Sequence, residues 1–221
     1  MLSTLALAGV VRALTPEMEA AHGIRIDAEF MPTAVLMPRL RTHEPADAVL
    51  LTEEGVAALV AEGLLLPGSQ LDLARSFVGV AVQAGAPHPD ISAPEAFVAA
   101  LDAARSVCLS KQGASGLFLA GLLRRLGIAE AIGAKATVIE SGFTAELAAR
   151  GEVELALQQV SELMVVPGVE IVGRLPAALG GDGVFSGGVM AASARPDMAR
   201  SVLSMIAGAR DLLVEKGLEP V

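Results

Sequence analysis

The chain has no tryptophan and no tyrosine, and six phenylalanines among its 221 residues. Its core must therefore be aliphatic, and so low an aromatic content argues against stacking on nucleobases or sugars as the way it holds a ligand. There is a single cysteine, Cys108, so no disulfide forms within the chain. Cys108 lies in an apolar run (107–109) and reads as a small buried hydrophobe. The three histidines, His22, His43 and His88, are scattered and have no cysteine partners, so no metal site and no cofactor are expected.

Basic residues are few: 16 against 25 acidic ones, a net charge of −9. That argues against nucleic acid as a partner, since a basic face is its usual footprint. It does not exclude a small anion, because distant surface charge is screened and a narrow site is governed by its local dipoles. No apolar run reaches the roughly 18–20 residues needed to span a bilayer, so no membrane insertion is expected. Residues 2–11 are apolar but lack a preceding basic region and a small-x-small cleavage pattern. They read as a first strand, 2–7, entering a helix near Gly9. The expected compartment is the cytoplasm for the chain as given, and the periplasm if a signal precedes it.

What the chain has in abundance is hydrophobicity, 53% of its residues. Strand and helix signals alternate along most of it. Residues 24–30 (IRIDAEF) alternate with period two, as a half-buried strand does. The pattern predicts short strands at 48–51, 77–82, 107–109, 137–140, 155–157, 170–172 and 184–191. Helices are predicted over 10–21, 34–41, 53–62, 94–104, 117–126 and 144–150, with a last one from Pro196 to about Lys216. Ser92 and Glu95 are spaced as a capping box ahead of the helix at 94. Such alternation implies mixed, mostly parallel sheets flanked by helices, with ligands beyond the carboxyl ends of the strands. Proline and glycine cluster at 85–94 and 173–188. A chain that leaves one lobe near residue 82 and returns near 180 gives a discontinuous first lobe, 1–82 plus 181–221. The second lobe is then 83–180, with a cleft between the two.

The most informative stretch is 106–128, SVCLSKQGASGLFLAGLLRRLGI. An apolar run stops at a small, polar turn (110–116), and an amphipathic run follows. Strand, tight turn and helix expose backbone N–H groups at a positive helix end, which suits a small anion. Ser115 is placed either to cap the helix or to donate to a ligand. The turn is neither a Walker loop nor a dinucleotide fingerprint, since GKS/T and GxGxxG are both absent.

The order and spacing of several segments resemble the type II periplasmic-binding-protein fold, and within it the molybdate-binding-protein-like branch of substrate-binding proteins. The segments are FMPTA (30–34), PADAVLLTEEGVAALVAEGLL (45–65), LARSFVGVAVQAGAPHPDIS (73–92), KQGASG (111–116), QQVSEL (158–163) and VGRLPAAL (172–179). The resemblance implies a small anion held by Ser/Thr hydroxyls and backbone N–H groups between two lobes. It places Gly9 and Val10 on a first binding turn, Thr33 and Ala34 on a second, and Ser115 and Gly116 on a third. Gln159 and Ser161 fall near the last contact region. Molybdate binders carry a serine in the first turn and a tyrosine in the last region; this chain has Ala8-Gly9-Val10 and no tyrosine. Some relatives are similar to aconitate isomerases, which keeps a carboxylate ligand open.

Lys111, the one cation of the 110–116 turn, and Glu162 are the candidates for a proton-transferring group. Arg39 and Arg41 are candidate carboxylate clamps or surface charges, Arg75 is placed either to bind ligand or to pair with an interlobe acid, and His88 sits in a proline-rich turn. No Ser-His-Asp arrangement has a local signature. Three functions compete: solute binding, with delivery to an ABC-transporter permease if the chain is exported; isomerisation of a polycarboxylate by proton abstraction and allylic shift; and metabolite sensing by a domain that would need a partner chain, since no helix-turn-helix is visible.

Overall fold

The computed structural model describes residues 1–42 and 44–221. The chain runs β1 (Leu2–Thr4), α1 (Ala8–His22), β2 (Glu29–Met31), α2 (Thr33–Arg41), β3 (Ala48–Thr52), α3 (Glu53–Ala61) and β4 (Leu71–Gln83). It continues through α4 (Pro94–Ala103), β5 (Val107–Ser110), α5 (Ala114–Arg125), α6 (Ala129–Gly133) and β6 (Ala136–Ile139). Then come α7 (Ala145–Ala149), β7 (Leu155–Gln159), α8 (Val160–Leu163) and β8 (Val169–Arg174). It closes with β9 (Asp182–Val189), α9 (Pro196–Gly208), α10 (Arg210–Glu215) and β10 (Glu219–Pro220).

The chain forms two compact units, Met1–Ser76 with Gly183–Val221, and Phe77–Asp182. The crossings expected from sequence are 82/83 and 180/181, and those of the structure are 76/77 and 182/183. The first moves because β4 is one continuous strand. Its residues from Val78 onward pair with β7 and β8 of the second unit, whereas Ala74 and Arg75 pair with β10 of the first.

The first unit is a sheet in the order β2-β1-β3-β9-β4-β10. Its β1, β2 and β3 are parallel, and β9 runs against β3. Leu2, Leu36, Leu40, Val49, Leu51, Val56 and Leu59 share one aliphatic core cluster. The second unit has the order β6-β5-β7-β4-β8, with β6, β5 and β7 parallel. Strand periodicity sorts its core into two faces. Val78, Val80, Val107, Leu155 and Leu157 join Phe97, Leu119 and Leu122 on one. Ala81, Cys108 and Ala156 join Ala145, Ala148 and Leu163 on the other. The small residues of that second face let α7 and α8 lie close to the sheet. Cys108 is buried there, and burial pushes its thiol up to about 11.

Several expected elements change length. The first strand is Leu2–Thr4, not 2–7, because both its partners pair only there; Leu5–Leu7 turns as a 3-10 segment into α1. The strand expected at 24–30 survives only as Glu29–Met31, the length that β1 can pair. The last helix is two helices, since Ala209 between them takes a non-helical ψ of 52° after Gly208. The Ser92–Glu95 capping box does not form. Ser92 N–H donates to Asp90 Oδ1 (2.9 Å), Ala93 becomes the N-cap, and Pro94 takes the first helical position.

Candidate functional site

In the second unit, β5 ends at Ser110 and α5 begins at Ala114. The buried Ser110 hydroxyl accepts a hydrogen bond from Gly113 N–H (3.2 Å), which folds the turn back on itself. A Cβ on Gly116 would lie 1.8 Å from the Ser110 carbonyl oxygen, so glycine is what allows the helix start to touch the strand end. Gly113 is the N-cap, and no side chain caps the helix. Ser115 is therefore not the cap that its type suggested. It is 1% exposed, and its hydroxyl has no hydrogen-bond partner. A buried hydroxyl without a partner is uncommon and destabilising.

Lys111 lies in the same turn, on the outside. Its ammonium donates to Glu140 Oε1 (2.7 Å) and Gln112 donates to Oε2 (2.9 Å). Both ends of the Lys111–Glu140 pair are more than half exposed. A lysine base needs desolvation to lose its proton near neutrality. This one has water and a carboxylate, and the pair holds the Glu140 carboxyl below its ordinary range.

In the first unit, Gly9 and Val10 fall in the first turn of α1, not on a loop before it. Val10 is 1% exposed, so its side chain is core and only its backbone can reach a ligand. Thr33 and Ala34 open α2 after Pro32, half-buried and exposed respectively. Thr4, at the carboxyl end of β1, is buried with an unpartnered hydroxyl and was overlooked in the sequence. Its signal was its place, a polar residue at the end of the first strand.

Charge distinguishes the helix starts. In this acidic chain α3, α4 and α9 carry Glu53 and Glu54, Glu95 and Asp197 in their first turns. The short helices α6, α7, α8 and α10 also carry an acid there. Helices α1, α2 and α5 have neither an acid in the first turn nor a side-chain cap. An acid would neutralise the positive helix end; leaving it bare keeps its N–H groups for an external anion. These are the three starts on which Gly9, Val10, Thr33, Ala34, Ser115 and Gly116 lie.

The second unit also ends β7 with polar residues. Gln158 is fully buried; its Oε1 accepts from Thr144 N–H (2.7 Å) and its Nε2 donates to Gly142 O (3.0 Å). Gln159, the last residue of β7, is 6% exposed. Ser161 and Glu162 follow in α8, at 3% and 4%. Gly79 on β4 makes room for this helix, since a Cβ there would lie 2.6 Å from Val160 Cγ2. Ser161 Oγ and Glu162 Oε2 have no hydrogen-bond partner. Burial pushes the Glu162 carboxyl up to about 8, against hydrogen bonds from the Gln158 side chain and the Gln159 backbone that pull it down. Near pH 7 it is therefore a neutral acid.

The arginine candidates are engaged at the surface. Arg39 pairs with Glu29 and Glu44, and Arg41 with Glu62. Arg75 lies opposite Glu219 in the β4–β10 ladder. His88 pairs with Glu170 (3.0 Å), and His22 bonds with Ser201 (3.1 Å); His43 lies outside the described residues. A cavity of about 820 Å³ in the first unit is lined by Asp27, Glu29, Glu44 and Asp47. Its carboxylates make it a poor place for an anion, and none of the candidate residues lines it.

Residues 2–219 match the family described as bacterial extracellular solute-binding protein. An aconitate isomerase of a Pseudomonas species is 37% identical over 229 residues, covering 100% of this chain and 87% of that one. Among solved structures, the periplasmic molybdate-binding protein of Azotobacter vinelandii superposes with a TM-score of 0.80 at 17% identity, covering 98% of this chain and 96% of the other. The sulfate-binding protein of Mycobacterium tuberculosis H37Rv gives 0.74 at 16%, covering 100% and 85%. At such identities the two structures speak for the fold, which is the expected type II periplasmic-binding-protein fold. The chain belongs to the bacterial extracellular solute-binding protein family.

Proposed function

We propose that the protein binds a small anion, an inorganic oxyanion or a carboxylate, through neutral donors. The observation that carries this is the set of bare helix starts at α1, α2 and α5 in a chain whose other helices open on acids. In the first unit the donors are the backbone N–H groups around Gly9 and Val10 and around Thr33 and Ala34; in the second unit, taken by itself, they are those around Ser115 and Gly116. The hydroxyls of Thr4, Ser115 and Ser161 and the Gln159 amide add to them. Neutral donors suit this task because they hold a charge without bringing a counter-charge that must be desolvated. An exported form would pass the ligand to an ABC-transporter permease.

A second reading is isomerisation of a polycarboxylate. It is favoured by the 37% identity, over the whole of this chain, to an enzyme that acts on aconitate. A thermal-shift panel separates the two, setting molybdate, tungstate, sulfate and phosphate beside citrate, cis-aconitate and trans-aconitate. A ligand at 100 times its Kd adds about 2.7 kcal/mol, which for a chain of this size is roughly 5–10 °C. A shift with inorganic oxyanions alone supports solute binding and sinks the isomerase. A shift with tricarboxylates alone directs attention to turnover. No shift with any of the seven contradicts the anion-binding reading.

A further inference from the structure

Anion binding by neutral donors has no use for Glu162. All four residues of α8 are buried, yet the helix carries a carboxyl group at 4% exposure with Oε2 unpartnered. Burying such a group is expensive unless it is fully hydrogen-bonded, and this one is not. Its neighbour Ser161 holds a second unpartnered oxygen. Both lie just past the carboxyl end of a strand whose neighbour in the sheet, β5, is parallel to it, the end where such sheets take their ligands.

The surroundings hold the acid in place and add no charge to it. Gln158 ties the carboxyl to Thr144 and Gly142, so the loop before α7 and the start of α8 are fixed together. Of the strands packed against α8, β7 has no titratable group. On β8, Glu170 is bonded to Gly85 and His88, and the Arg174 guanidinium stacks on Phe77. No charged neighbour among the described residues contributes to the shift of Glu162, which comes from burial.

We propose that Glu162 is a catalytic residue that carries a proton between two carbon atoms of a bound unsaturated polycarboxylate. This rests on the isomerase reading and names its base. In the first step a C–H bond breaks at a methylene flanked by a carboxylate and a C=C bond. The proton goes to a Glu162 oxygen, and the electron pair spreads over the three-carbon unit and its carboxylates. In the second step the same proton, or one exchanged from water, passes to the far carbon of that unit. A C–H bond forms there, the double bond re-forms one position along, and Glu162 returns to carboxylate. Nothing is oxidised or reduced, and no leaving group departs. Ser161 Oγ and the bare start of α5 supply donors for the charge that develops on the substrate. A carboxyl at about 8 is a stronger base than an ordinary glutamate and still gives the proton back.

The test incubates the full chain with cis-aconitate or trans-aconitate in D2O, following methylene deuteration and isomer interconversion by proton NMR. Calorimetry measures binding alongside. Glu162→Gln is expected to keep binding within about 3-fold and to lower exchange and interconversion by at least about 100-fold. In the unchanged protein the rate should rise about tenfold per pH unit from pH 6 and level off above pH 8, as the carboxylate form accumulates. Interconversion that survives in Glu162→Gln overturns the role of Glu162 alone. Binding without interconversion in the unchanged protein overturns the isomerase reading with it. Should Glu162→Gln fail to fold, the pH profile decides: a rate flat from pH 6 to pH 9 overturns the proposal.

Discussion

The starts of α5 and α8 both follow the carboxyl end of a strand in the second unit, yet they solve opposite problems. At α5 every charge is kept off the helix end, and Lys111 turns outward to Glu140. At α8 an acid is brought in and water is kept out. One turn is prepared for negative charge that arrives from outside. The other holds a group whose own charge is suppressed until something draws its proton away. The chemistry of a strand end thus depends less on which residues are present than on which of them are wet.

The largest effect should come from removing that suppressed charge. Glu162 binds its proton up to about pH 8 in the folded protein, against 4.5 as the ordinary value. Between those two pH values the unfolded chain is deprotonated and the folded one is not, so stability falls as pH rises. The loss approaches about 4 kcal/mol by pH 8, at roughly 1.4 kcal/mol per unit. Glu162→Gln should abolish this slope, so that urea unfolding at pH 5 and pH 8 differs between the two proteins by that amount. Parallel pH profiles for the two proteins would show that the acid is not held neutral.

Gly116→Ala comes next. Its Cβ would meet the Ser110 carbonyl oxygen at 1.8 Å, and overpacking against backbone costs about 3 kcal/mol. An unchanged denaturation midpoint would mean that α5 does not begin where it is described. The two serines of this turn should then part company. Ser110→Ala loses the bond to Gly113 N–H and about 1 kcal/mol of stability. Ser115→Ala removes an unpartnered oxygen, so stability holds or rises while affinity for the anion falls by about tenfold. Equal losses of stability in both would erase the distinction between structural and ligand-directed hydroxyls. Lys111→Ala should move stability by less than about 0.5 kcal/mol, since its pair is exposed. A complete loss of ligand binding in that variant would restore Lys111 to the site.

The β5–turn–α5 segment was legible in sequence because an apolar run, a glycine-rich turn and an amphipathic run each have a local physical signature. Strand lengths were less so. Nothing within IRIDAEF says that only its last residues find a partner; β1 decides that from elsewhere in the chain. The division of the last helix at Ala209 hung on one glycine, a weak local signal. Within the site, the bare starts of α1, α2 and α5 were present in the sequence as missing acids, an absence that stands out only once the helix boundaries are known. The state of Glu162 was not legible. A glutamate after two glutamines looks like a solvated first-turn acid, and its burial is set by Gly79 and the small residues of the facing strands. Thr4 was hidden for a related reason, since the strand was read as running on to residue 7.

The most direct test of the account places an acid where it says one must be absent. Ala114 opens α5, and Ala114→Asp puts a carboxylate at a bare helix end. Unfolding and thermal shifts would be measured together, with the oxyanion and tricarboxylate panel. The account predicts that the helix gains about 0.5 kcal/mol from the new charge while every ligand-induced shift seen in the unchanged protein is lost. A variant that binds the same anion with undiminished affinity would contradict it.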